Sequence, residues 1–137
     1  MNNNYHLKNC LCVITTINPP NKTSYEKFSS IFEKNKIVIV GDKKTPKEWE
    51  KIGCKFLSIE NQRDNYDQTL AELPFNSYSR KNFGYLEAIN NNAETIFETD
   101  DDNFPYRFFT NEIYEKLDDL KTINPEFKLW INIYSYF

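Results

Sequence analysis

The chain has 137 residues, with 17 basic and 20 acidic side chains for a net charge of −3, and its content is 39% hydrophobic and 16% aromatic. That suits one domain with a packed core and is too apolar for a disordered chain. The scattered basic residues give no footing for nucleic acid, and no apolar run approaches the roughly 20 residues a membrane-spanning helix needs.

The first residues, Met1-Asn2-Asn3-Asn4, are polar, and residues 1–9 are expected to be irregular, without a signal peptide. A cytoplasmic setting is expected, and it suits Cys10, Cys12 and Cys54 as reduced thiols, the first two buried on one side of a strand. No second ligand pair has zinc-site spacing. The lone His6, in the irregular stretch, argues against Ser-His-Asp or Cys-His catalysis.

Residues 10–17 form a continuous apolar, β-branched run, expected as a strand covered on both faces and ended by Asn18-Pro19-Pro20-Asn21. Residues 22–34 read as a helix, with Ser24 as N-cap and Tyr25, Phe28, Ile31 and Phe32 on one face. A second strand spans 37–40 and stops at Gly41-Asp42. A short helix then opens with Thr45 as N-cap, Pro46 at its first position and Glu48 completing a capping box. Residues 55–59 are expected as a third strand. The polar stretch 60–75 hints at a helical turn or two. Residues 77–91 read as a clearer helix with Tyr78, Tyr85, Leu86 and Ile89 sharing a face. A fourth strand at 93–99, a helix at 110–120 and a last apolar run at 129–137 complete the pattern. Trp49 and Trp130 are expected in packing roles. Alternating strands and helices predict an α/β fold with an open, mostly parallel sheet and right-handed crossovers. The final run ends on Phe137, so residues 10–137 are expected to form one domain that is short for its fold.

Ligands of open α/β sheets bind beyond the carboxyl ends of the strands. Those ends here bring Thr15, Thr16 and Asn18 together with Asp42, Lys43 and Lys44, and with three consecutive carboxylates, Asp100, Asp101 and Asp102. Like charges side by side repel. Two carboxylates aimed at one point from a strand end suit a hard divalent cation shared with substrate phosphates. A P-loop and a G-x-G-x-x-G fingerprint are both missing, and the chain has three glycines in all.

Further residues carry a resemblance. The run Arg80-Lys81-Asn82-Phe83-Gly84-Tyr85-Leu86-Glu87-Ala88 resembles the Arg-(Lys)-Asn-x-Gly-x-x-x-Ala helix of GT-A glycosyltransferases, whose next strand leads into an Asp-x-Asp motif, here Asp100-Asp101-Asp102. With Val13-Ile14-Thr15-Thr16-Ile17-Asn18-Pro19-Pro20 and Val40-Gly41-Asp42-Lys43-Lys44-Thr45-Pro46, the chain is similar to the STELLO / DUF288 group of glycosyltransferases.

The resemblance implies the donor-binding portion of a GT-A, Rossmann-like fold. Thr15, Thr16, Asn18 and Asp42 would hold the nucleoside. Asp100 and Asp102 would hold Mn²⁺ or Mg²⁺, with Asp101 between them, and Arg80 and Lys81 would face the diphosphate. The partners implied are a UDP- or GDP-sugar donor and a glycan, lipid or protein acceptor. The general base and acceptor site belong to the later half of such proteins. Two alternatives therefore stay open: a non-catalytic module of this fold, or another reaction on it such as a sugar-nucleotide mutase. A nucleotidyltransferase would want a glycine-rich loop where Thr16-Ile17-Asn18-Pro19-Pro20 stands.

Overall fold

Runs rich in β-branched residues favour strands, and three of them pair here with a short Lys-Phe-Leu strand. The computed structural model describes residues 9–67 and 72–106. Strands β1 (Cys10–Thr16), β2 (Ile37–Gly41), β3 (Lys55–Leu57) and β4 (Thr95–Asp100) form a wholly parallel sheet in the order β3-β2-β1-β4. This is the expected α/β, Rossmann-like sheet. The expected helix at 110–120 and last run at 129–137, together with His6 and Trp130, lie outside the described residues. Among the described residues no helix is long and apolar enough to cross a membrane.

The central position of β1 sets the register. Thr15 lies opposite Val40 on one side and Asp100 on the other, and Thr16 lies opposite Gly41. Side chains alternate between faces along a strand. Leu11 and Val13 join Val38, Val40, Leu57, Phe83 and Ala88 in one buried cluster, while Cys10, Cys12, Ile14, Ile37 and Ile39 are buried on the opposite face. Phe97, in register with Cys12, stacks there with Phe32 at 5.7 Å and packs on Phe28 at 5.6 Å. The three cysteines are free thiols, with Cys10 and Cys12 buried as expected.

Several helices differ from expectation. The first, α1, is only Tyr25–Phe28. Ser29 and Ser30 turn their hydroxyls back onto the carbonyls of Glu26 and Lys27, at 2.9 and 2.6 Å, and this local bonding competes with the helical ladder. Thr45 does not cap a helix. Its hydroxyl accepts from the Asp42 amide and donates to the Thr16 carbonyl, tying the ends of β1 and β2, and a 3₁₀ turn at Lys47–Lys51 follows Pro46. β3 stops at Leu57 because Ser58 becomes the N-cap of α2 (Ile59–Asn65), in a reciprocal capping box with Asn61. Gln62 of α2 is fully buried. Its amide donates to the carbonyls of Gly41 (2.8 Å) and Leu57 (2.7 Å), and its oxygen accepts from Arg80.

The next helix, α3 (Lys81–Asn90), follows a 3₁₀ turn at Tyr78–Arg80 and lies on β1 and β2. Of the face expected from Tyr78, Tyr85, Leu86 and Ile89, Tyr85 packs on the core cluster, but the buried face is centred elsewhere. Lys81, Phe83, Gly84 and Ala88 are buried, whereas Tyr78 is 78% and Ile89 61% exposed. Close approach decides this. A Cβ on Gly84 would sit 2.3 Å from Val13 Cγ1 and 2.9 Å from Val40 Cγ2, so the small residues must face the sheet.

Gly84→Ala is expected to lower stability by about 1–3 kcal/mol through overpacking, read as a lower urea midpoint. Gln62→Leu removes the donor from two strand-end carbonyls and one acceptor from the Arg80 guanidinium, which keeps its bond to the Leu73 carbonyl. It is expected to cost roughly 2–4 kcal/mol in the same assay.

Candidate functional site

At the carboxyl ends of the strands lies a cleft of about 390 Å³. It opens where the chain leaves β1 towards β2 on one side and β4 flanks it on the other, the crevice that parallel sheets use for ligands. Seven of the residues nominated from sequence line it: Thr15, Thr16, Asp42, Arg80, Asp100, Asp101 and Asp102. Asn18 and Lys81 are not among its lining residues and bond to the aspartates instead.

Strand parity divides the three aspartates. Asp100 is the last residue of β4, opposite Thr15, on the same side of the sheet as Val13 and α3. Its carboxylate accepts from the Lys81 ammonium at 2.8 Å. Glu98, two residues earlier and on the same face, lies 3.3 Å from the same ammonium and also accepts from the Tyr85 hydroxyl. Asp101 turns the other way. One carboxylate oxygen accepts from the Thr16 hydroxyl and from the Asn18 amide (2.9 Å), and its carbonyl accepts from the Ser24 amide (2.8 Å). Asn18 is held in turn through its backbone, whose N–H donates to Thr16 Oγ1 and whose carbonyl accepts from the indole of the buried Trp49, which packs edge-on against Tyr25. Asp102 is exposed at the cleft.

Asp42 fastens the opposite wall. Its two oxygens accept from the amides of Lys43 and Asn76, both at 2.6 Å. Asn76 takes a left-handed backbone, φ 52°, a region that asparagine tolerates. Arg80 is 3% exposed. Its guanidinium donates to the Leu73 carbonyl at 3.0 Å and to Gln62, and it lies against the rings of Phe75 and Phe83 at 4.6 and 5.1 Å. Its Nε has no partner among the described residues. Burial lowers the Arg80 pKa, and the nearby charge of Asp42 works against that. Lys81 shows the reverse balance. Burial opposes its charge, but hydrogen bonds to Asp100 and Glu98 outweigh that and raise its pKa.

The lip of the cleft was not legible in the sequence. Tyr78, expected on one helix face with Tyr85, Leu86 and Ile89, and Ile17, 48% exposed, stand at it with Asn76 and Ser77. The one available signal was the N-cap character of Ser77, whose hydroxyl accepts from the Ser79 amide.

Among the described residues no three acidic, thiol or imidazole groups gather as a metal site. Of the three consecutive aspartates that line the cleft, Asp101 is engaged by Thr16 and Asn18, Asp100 is partly exposed and Asp102 is exposed. Two carboxylates fit Mg²⁺ or Mn²⁺ drawing its other oxygens from phosphate and water, and do not fit an all-protein cage.

No protein-family model matches this sequence. Over 65 residues, 47% of the chain, it is 40% identical to "Probable glycosyltransferase STELLO2" of Arabidopsis thaliana. Over 65 residues it is also 38% identical to "Probable glycosyltransferase STELLO1" of the same plant. In each case the matched stretch is 8% of the relative's own length. Over about half its length, then, the chain is similar to two proteins named as STELLO glycosyltransferases, and its wholly parallel sheet is the Rossmann-like α/β sheet of the GT-A kind.

Proposed function

We propose that the cleft binds the nucleoside and diphosphate of a UDP- or GDP-sugar, and that the chain is the donor-binding part of a metal-dependent glycosyltransferase. One observation carries this reading: the register places Asp100 beside Thr15 at the carboxyl edge of the sheet, so that acidic and hydroxyl groups from three strands converge on one crevice. The relatives' names support the sugar-transfer part of this reading.

The parts divide as follows. Thr15, Thr16 and Asp42 line the wall nearest β1 and β2, where the nucleoside lies. Asn18 holds that wall through Asp101. Arg80 contributes a buried positive charge beneath the diphosphate. Asp100 and Asp102 are the residues that would hold Mn²⁺ or Mg²⁺. Such an ion, when bound, offsets the charge that gathers on the departing diphosphate. The sugar passes to a hydroxyl of a glycan, lipid or protein acceptor.

Thermal unfolding with a panel of UDP- and GDP-sugars, with and without Mn²⁺, tests this. A matching donor at about 100 times its dissociation constant adds roughly 2.7 kcal/mol of stability. Asp102→Asn, at an exposed position, is expected to keep the fold and lose the metal-dependent increment. Equal stabilisation of the mutant, or no stabilisation of the parent by any donor, would remove the assignment.

A further inference from the structure

The aspartate corner already contains a cation of the protein's own. Lys81 is the first residue of α3, and its side chain is only 8% exposed. Its ammonium sits 2.8 Å from Asp100 and 3.3 Å from Glu98. Asp101, the neighbouring acid, is engaged on the other side of the sheet by Thr16 and Asn18. An incoming divalent ion would therefore have to share Asp100 with a fixed positive charge, and would find Asp102 as the exposed carboxylate of the triplet.

We propose that Lys81 is the resident counter-cation of this corner, and that it makes divalent-metal binding conditional on a bound nucleotide diphosphate. This rests on the donor-site reading above. Two positive charges sharing one carboxylate repel, and the repulsion is strong where solvent is partly excluded. A diphosphate reverses the balance. It brings negative charge to both cations and supplies the oxygen ligands that two carboxylates leave unfilled. By linkage, the metal must then raise nucleotide affinity by the same factor as the nucleotide raises metal affinity. Asp100 is 39% exposed on its side chain, so solvent weakens the repulsion and the effect is on the order of tenfold rather than many decades. Lys81 is on this account a positioning residue that acts through Asp100.

The experiment is a Mn²⁺ titration of the full chain, followed by the electron paramagnetic resonance signal of free Mn²⁺, alone and with UDP or GDP. The parent is expected to bind Mn²⁺ weakly alone and at least about tenfold more tightly with the matching diphosphate. Lys81→Met is expected to bind Mn²⁺ alone about tenfold more tightly than the parent and to lose most of the nucleotide's enhancement. Lys81→Gln, which keeps a polar group beside the two carboxylates, provides the same test should the methionine variant fail to fold. Lys81→Arg keeps the charge and should behave as the parent does. If removing the charge leaves metal-only affinity unchanged, or if the parent binds Mn²⁺ equally well with and without nucleotide, the role of Lys81 is overturned. If UDP or GDP binds without recruiting Mn²⁺ to any variant, Lys81's role and the metal assignment fail together while nucleotide binding stands. If neither nucleotide binds at all, the donor-site reading fails, and this inference with it.

Discussion

The close seating of α3 on the sheet is the constraint from which the site follows. Gly84 lies against Val13 and Val40 with no room for a Cβ, and Ala88, one turn on, is fully buried on the same cluster. Interiors pack at crystal-like density, so a helix brought this close has little freedom to slide or roll. Its first residues are fixed with it. Arg80 and Lys81 reach the carboxyl edge of the sheet because Gly84 sits where it does, and Tyr78 is left at the lip, facing solvent. The glycine of the motif is thus a spacing device for the cationic end of the helix.

From that placement, the alternation of side chains along β4 sorts the acids. Asp100 and Glu98 face α3 and share one ammonium; Asp101 faces the α1 side and closes the end of β1 through Thr16 and Asn18. Adjacent carboxylates repel least when they point to opposite faces and each meets a donor. A run of three aspartates is tolerable here for that reason. The middle residue braces the cleft, and the outer two are the pair that the proposed donor-site reading offers to a hard cation shared with phosphate.

A second brace lies beneath the opposite wall. Gln62 spends its amide on the carbonyls that end β2 and β3 and its oxygen on Arg80. Parallel strands end in carbonyls that no neighbour satisfies, and a buried carbonyl without a partner is costly. One glutamine from a capped helix answers two of them and orients a buried guanidinium at the same time. Asp42 holds the segment after Pro74 by accepting from the Asn76 amide. The cleft is therefore walled by groups already bonded to one another, which favours a ligand entering without large rearrangement.

Much of this architecture was readable along the chain. The apolar runs named the strands, their alternation with helical patterns named a mostly parallel α/β sheet, and the position of the aspartates after the fourth strand placed them at the ligand-binding edge. These are local signals: pattern, propensity and order along the chain carry them. What needed the folded molecule is long-range. The serine back-bonding that shortens α1, the helix face selected by a missing Cβ, the bond from Asp101 to Thr16 across 85 positions, and the pairing of Lys81 with Asp100 all depend on which surfaces meet. The sequence by itself determined which residues arrive at the edge of the sheet. Only tertiary packing decided which way each one points, because strand parity and the approach distance of a helix are properties of neighbours rather than of runs.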